Sequence, residues 1–120
     1  MGLGEERPQR LVFRKKYVEL LLSGRKRTTI RLGKVRIRSR VVVIAQGQTP
    51  VALARVEEVR YKKVRDLTEE DAREDGFKNL IELFRELRSI YGDFSLDDDI
   101  TIVRLSIIKR LNGGLTPGAP

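Results

Sequence analysis

Apolar positions recur along this chain with two different periods, and the changes of period mark out its elements. Leu11-Val12-Phe13 reads as a short strand. Lys15 to Ser23 reads as a helix, with Tyr17, Leu20 and Leu21 on one face at the i, i+3, i+4 spacing. Gly24 stands where a helix C-terminal glycine should, and the β-branched run Thr28-Thr29-Ile30 leading to Arg31 favours a strand. Val35 to Gln46 reads as one extended run. Arg36, Arg38 and Arg40 point one way and Val35 and Ile37 the other, before the dense β signal of Val41 to Ile44. Gly47 to Pro50 makes a turn, and Val51 to Tyr61 reads as a further strand with a bend or bulge.

The period then lengthens. Thr68-Glu69-Glu70-Asp71 has the form of a capping box and opens a short acidic helix that Asp75-Gly76-Phe77 ends. Asn79 caps a second helix, with Glu82 three residues on. Leu80, Leu83, Phe84, Leu87, Ile90 and Tyr91 form its apolar stripe. A polar loop from Gly92 to Asp99 precedes a last strand, Ile100 to Ile108. Residues 1–10 read as a flexible lead-in, 11–110 as the domain, and the Gly- and Pro-rich end, 111–120, as a disordered tail. Five or six strands with two or three short helices between them predict a mixed α+β, mostly antiparallel β-barrel rather than alternating βαβ units.

A chain of 120 residues has room for one modest core. It contains no histidine and no cysteine, so imidazole chemistry, disulfides and thiolate metal sites are excluded. Catalysis would have to run on Lys, Thr, Tyr, Asp or Glu. Asp97-Asp98-Asp99 offers hard oxygen ligands, but three consecutive acids cannot all face one ion, and neither a metal nor a cofactor is expected. No apolar run approaches the ~20 residues of a membrane span, and the first ten residues lack a signal-peptide core. A cytoplasmic protein without a membrane partner is the expectation, and the charge-dense, cysteine-free composition would suit a thermophile. The net charge of +8 is segregated. Residues 1–65 hold 18 Lys/Arg against 5 Asp/Glu, whereas residues 66–120 hold 7 against 12. Such a basic half is the electrostatic footprint of a nucleic-acid or nucleotide partner. The alternative is an interaction module whose acidic half pairs with the basic half of a second copy, so monomer and homodimer both stay open.

Gly24-Arg25-Lys26-Arg27-Thr28-Thr29-Ile30-Arg31 packs four cations and two hydroxyls into eight residues. Glycine admits close backbone approach, hydroxyls can hold phosphate or base-edge oxygens, and Arg offers a bidentate fork. This stretch resembles the GxKxxTxR signature of ASCH domains, met by Gly24, Lys26, Thr29 and Arg31. The similarity extends from about Leu11 to Lys109. It takes in Leu67-Thr68-Glu69-Glu70-Asp71-Ala72, Gly76-Phe77, the helix ending at Tyr91 and the closing strand. It implies a PUA-like β-barrel with a cleft beside the motif, and RNA binding. Some small members are amidohydrolases that deacetylate N4-acetylcytidine, and at least one is a ribonuclease. Carried over, the amidohydrolase roles fall on Lys26, Thr29 and Asp75. Asp75 is one methylene shorter than the family's Glu, and Ser39-Arg40 stands where the family has a Gly-Asp turn.

Two readings of the loop follow. As a binding module, Gly24, Arg25, Lys26, Arg27, Thr29 and Arg31, with Arg36 and Arg38, line a positive groove for RNA or a nucleotide. As a hydrolase, a lysine of depressed pKa frees the Thr29 hydroxyl for attack, the depression coming from desolvation or from the charges of Arg25, Arg27 and Arg31, with Asp75 orienting the amide or shuttling a proton. Arg31 could instead pair with Asp75 or Glu74 to hold the cleft together. Phe13, Tyr17, Tyr61, Phe77, Phe84, Tyr91 and Phe94 are the only rings, mostly at core-like spacings. Extensive stacking on a single strand is therefore not expected.

Overall fold

The computed structural model describes residues 8–111. Its elements run β1 (Arg10–Phe13), α1 (Lys15–Ser23), β2 (Thr28–Leu32), β3 (Val41–Gln46), β4 (Thr49–Lys63), a 3-10 turn (Val64–Asp66), α2 (Glu69–Glu74), α3 (Leu80–Tyr91) and β5 (Asp99–Arg110). The strands form one mixed sheet in the order β1-β3-β4-β5-β2, curled into a half-barrel. Only β1 and β3 run parallel; the other neighbours are antiparallel. The mixed, mostly antiparallel architecture expected from the sequence is the observed one. The last ten residues, expected to be a disordered tail, lie almost wholly outside the described residues.

Strand β4 organises the sheet because it is long enough to serve two neighbours. Its N-terminal half pairs with β3, and Ala52 to Lys63 pair with β5. Register shifts at Leu53/Ala54 and Val56/Glu58 bend it, as extra residues in a ladder do, and the bend turns one sheet into two half-cores. On one side α1 packs Val18 and Leu21 against Leu11, Phe13, Val42, Ile44 and Leu105. On the other, Leu83 and Leu87 of α3 meet Ile30, Val64, Leu67, Ile100 and Ile102.

The helix ends follow local chemistry. The α2 capping box is complete: Thr68 Oγ1 accepts from the Asp71 amide at 3.0 Å, and Asp71 Oδ2 accepts from the Thr68 amide at 3.0 Å. Asn79 Oδ1 accepts from the Glu82 amide at 2.9 Å to start α3. Gly24 ends α1 at φ +82°, where a Cβ would be strained.

The expected extended run from Val35 divides. Only Val41–Gln46 is strand, and residues 35–39 join no backbone ladder. Side chains satisfy that stretch instead. Thr101 Oγ1 accepts from the Val35 amide, the Tyr61 hydroxyl donates to the Val35 carbonyl, and Gln9 bonds both Arg36 O and Arg38 N. Arg36, Arg38 and Arg40 still alternate outward, exposed, along this irregular segment. The sheet begins at Arg10, one residue before the expected strand, with Gln9 already held by these bonds.

Segregated charge in the sequence becomes paired charge in the fold. Lys62 and Arg60 meet Asp71, Lys63 meets Asp99 at 2.8 Å, Arg65 meets Asp97, and Arg14 and Lys16 approach Glu86. Asp98 Oδ2 accepts from the Ser95 amide, so the three consecutive acids serve three different partners. Among the described residues no helix is long and apolar enough to cross a membrane.

The two half-cores make an asymmetric prediction along α3. Leu83, 1% exposed, should cost about 2–5 kcal/mol when truncated to alanine. Ile81, 66% exposed on the same helix, should cost within about 0.5 kcal/mol. Urea unfolding of Leu83→Ala and Ile81→Ala checks the pair, and equal costs would contradict the packing described.

Candidate functional site

The loop after α1 is drawn inward by backbone bonds. Arg25 and Lys26 amides both donate to Leu20 O, the Arg27 amide donates to Glu74 O at 2.8 Å, and Arg27 O accepts from Leu105 N. These anchors place Lys26 beneath the turn between α2 and α3. That turn can come so close because residue 76 is glycine. Its φ is +96°, and a Cβ there would lie 3.4 Å from Lys26 Cβ and 3.5 Å from Leu20 Cδ1.

Lys26 and Asp75 are buried together, 5% and 4% exposed. Lys26 Nζ donates to Asp75 Oδ1 at 2.9 Å and approaches the Asp75 carbonyl at 3.3 Å. Thr28 Oγ1 donates to the same Oδ1 at 2.8 Å. The shorter aspartate therefore reaches the lysine, because the glycine lets its backbone approach. Burial pushes the Lys26 ammonium below its ordinary range, with Asp75 opposing and Arg31 assisting. Burial likewise raises the Asp75 carboxyl, against the pull of Lys26 and the hydrogen bond from Thr28. Desolvation, rather than the charges of Arg25 and Arg27, is the leading cause at Lys26.

One residue further along β2, the pattern faces another way. Thr29 Oγ1 accepts from Arg31 Nε at 2.9 Å, leaving its own hydroxyl proton free to donate. The guanidinium lies 4.9 Å over the Phe13 ring and donates to Val12 O at 3.2 Å. Arg31 thus bridges the two edge strands of the half-barrel. It pairs with neither Asp75 nor Glu74; Glu74 is held by Arg104 at 2.5 Å.

These side chains surround a cavity of about 170 Å3 at the seam between the half-cores. Lys26, Thr29, Arg31 and Asp75 form one wall, with Phe13, Tyr17 and Phe77 beside them. Leu83, Glu86, Leu87, Ile90 and Tyr91 of α3 close the other side. Rings read in the sequence as core spacings are therefore cavity walls. Tyr17 and Phe77 meet edge to face, with centroids 6.2 Å apart. Lys26 Nζ lies 5.2 Å over the Tyr17 ring.

The remaining sequence candidates lie elsewhere. Gly24, Arg25 and Arg27 line a separate shallow cleft with Glu70, Arg73 and Glu74. Arg36 and Arg38 sit exposed on the irregular segment before β3 and do not line the cavity. The sequence does not mark Thr28, Tyr17 or Glu86 as site residues. Glu86 had a visible signal: it falls three residues after Leu83 and four before Ile90, a carboxylate within the apolar stripe of α3.

The fold has relatives. The ASCH domain from Lactobacillus crispatus JV V101 superposes with a TM-score of 0.72 at 14% identity, covering 84% of this chain and 80% of that one. A protein from Enterococcus faecalis V583 gives 0.68 at 19% identity, covering 88% and 83%. ASCH from Zymomonas mobilis gives 0.61 at 15% identity, covering 81% and 65%. Among curated proteins none matches. These likenesses are of fold. A family model for the ASCH domain matches residues 9–109, nearly the whole of the described chain. This chain belongs to the ASCH domain family.

Proposed function

We propose that this ASCH domain takes a single nucleobase, of RNA or of a free nucleotide, into the cavity at the seam. The observation that carries this reading is the composition of the cavity wall. Flat rings from Phe13, Tyr17, Phe77 and Tyr91 stand beside the polar groups of Lys26, Thr29, Arg31 and Asp75. A volume of about 170 Å3 is below the roughly 300–1,000 Å3 typical of clefts that enclose drug-sized ligands, so one small ring system is the fitting occupant. Arg25, Arg27, Arg36 and Arg38 serve the phosphates outside it, as surface cations that strengthen binding without reading the base. Nucleoside binding should then vary little with salt, while RNA binding weakens steeply as salt rises. Calorimetric titration with a nucleoside and with a short single-stranded RNA, each at two salt concentrations, tests this. Equal salt dependence of the two would sink it.

Amide hydrolysis is the second reading, and the presence of buried Lys26 and Thr29 on the wall of one cavity is what favours it. A lysine pushed below its ordinary range can act as a base without histidine. In its neutral form Lys26 takes the Thr29 hydroxyl proton, and Arg31 Nε stabilises the oxygen as that proton leaves. Thr29 Oγ1 adds to the amide carbonyl, the proton passes to the departing nitrogen, and water then frees the acyl group from Thr29. With N4-acetylcytidine as substrate, Lys26→Ala and Thr29→Ala should each abolish release of cytidine. The wild-type kcat/KM should rise with pH along a limb centred below 10.5. Chromatography of the products checks both, and no turnover would leave the binding reading alone.

Asp75 holds Lys26 in place under either reading. Asp75→Asn removes the counter-charge of a buried cation and should destabilise the fold by about 3–5 kcal/mol. Without that carboxylate the folded pKa of Lys26 falls further below 10.5, so the unfolded chain binds the extra proton in between. The stability of Asp75→Asn should therefore increase as pH rises towards 10.5, more steeply than wild type. Denaturant midpoints across that range measure it, and a flat profile would mean Lys26 stays charged in the variant.

A further inference from the structure

Helix α3 shows a second face to solvent, and that face is not polar. Leu83, Leu87 and Ile90 line the cavity. Ile81, Phe84, Arg85 and Arg88 follow one another at i, i+3, i+4 and i+7 on the opposite face. With Phe94 and Leu96 of the loop before β5 they line a groove of about 550 Å3. Phe84 and Phe94 are half-buried, pack against the second half-core and make the floor of the groove. Ile81 and Leu96 stand above them, 66% and 53% exposed, the two most exposed large apolar side chains among the described residues. Apolar side chains scattered singly over a surface need no explanation. Gathered in one groove under a charged rim, they mark an interaction site.

The rim selects among occupants. Arg85 and Arg88 make no ion pair among the described residues, and the Arg88 guanidinium lies 5.6 Å over the Phe94 ring. Neither Asp93 nor Asp97 of the neighbouring loop lines the groove, and Asp97 is taken by Arg65. From an apolar floor beneath two unpaired cations we infer that this groove docks a short amphipathic segment of an acidic protein partner. Its apolar side chains seat between Ile81 and Leu96, and its carboxylates meet Arg85 and Arg88. A second copy bound face to face would bring like arginines together, which opposes the contact. A nucleobase would bury its ring nitrogens where only Ser89 and the two arginines could meet them, and Phe94 is already covered by Arg88. Docking here leaves the cavity open, because the two sites lie on opposite faces of one helix, so it is independent of what the cavity takes.

Selection from a displayed library of random peptides about 12 residues long, roughly three helical turns, tests this on the full chain, with the Ile81→Asp protein as counter-selection. Ile81 lies in the first turn of α3, where a carboxylate is well tolerated, so that variant should keep the wild-type thermal midpoint. Selected peptides should carry apolar residues three or four apart with Asp or Glu beside them. Made synthetically, they should bind wild type and bind Ile81→Asp at least tenfold more weakly in calorimetric titration. Reversing the charges is the decisive step. Arg85→Glu combined with Arg88→Glu should weaken the acidic peptide at least tenfold, and should bind the same peptide with each acid replaced by lysine as tightly as wild type binds the original. A loss caused by misfolding would not be restored in that way. If no peptide survives counter-selection, the groove docks no protein segment and the inference fails. If the charge-reversed pair does not recover affinity, the arginines do not select the partner and its acidic character is overturned. Two other results would hand the groove to another occupant and overturn the inference as well. One is a loss of single-stranded RNA binding in the paired arginine variant with no peptide selected. The other is a wild-type dimer that Ile81→Asp converts to monomer in sedimentation.

Discussion

Placing an ammonium and a carboxylate together out of water is the constraint around which this domain is arranged. Either charge alone would cost several kcal/mol to bury, on the order of the whole stability of a small domain. Lys26 and Asp75 escape that cost only because they meet at 2.9 Å and because Thr28 supplies the aspartate with a second donor. Everything local serves that meeting. Gly24 ends α1 so that the chain turns inward, Leu20 O holds the Lys26 amide, and Gly76 lets the α2–α3 turn settle against the lysine side chain. The pair in turn ties the loop after α1 to the turn before α3, 49 residues apart in sequence. A substitution that disturbed the pair would loosen the two half-cores from each other before either lost its own packing.

That dependence explains why the cavity lies where it does. The bent β4 strand forces one sheet to carry two cores, and between two convex cores a gap remains that neither fills. The half-barrel is open along the same line, with β1 and β2 as unpaired edges. Arg31 crosses that opening through one hydrogen bond to Val12 O, packed over Phe13, while its Nε engages Thr29. One side chain thus braces the open edge and orients the hydroxyl at the site. If the cavity takes a ligand as proposed, stability and binding compete for the same guanidinium, and ligand groups that draw it away from Val12 must replace what the edge loses.

Much of the fold was legible in the sequence wherever the determinant is local. The bounds of α1, the capping box at Thr68 and the Asn79 cap depend on residues within one turn of one another, and they stand as read. The strand expected over residues 35–40 failed for the converse reason. Alternation of exposed arginines persists there, but a strand needs a neighbour, and Gln9, Thr101 and Tyr61 supply side-chain bonds in place of one. Of the proposed site, the motif pointed to the stretch from Gly24 to Arg31, yet not to which of its residues would turn inward. Lys26, Thr29 and Arg31 share the cavity, whereas Arg25 and Arg27 belong to another cleft. That division is set by the anchors on Leu20, Glu74 and Leu105, which are tertiary and leave no periodic trace. Glu86 did leave one, a charge set into an apolar stripe. Helical periodicity assigns it a face without saying that the face borders a cavity.

The same division bears on how a basic chain of this size handles its charge. Among the described residues, Arg14, Lys16, Lys26, Arg60, Lys62, Lys63 and Arg65 of the first half meet carboxylates of the second, at Asp71, Asp75, Glu86, Asp97 and Asp99. Charge of opposite sign in the two halves of the sequence is therefore first an instruction for folding, since it brings the β4 strand to α2 and the loop before β5. What survives for a partner is the residue left over. Arg25, Arg27, Arg36 and Arg38 make no ion pair among the described residues, and they stand on surfaces outside the cavity. On the same proposed reading, a polyanion would encounter those exposed arginines first. On the nucleobase reading proposed above, the cavity, where charge is buried and already neutralised, would discriminate by shape and hydrogen bonding, and the attraction to phosphate would fall to a different set of side chains.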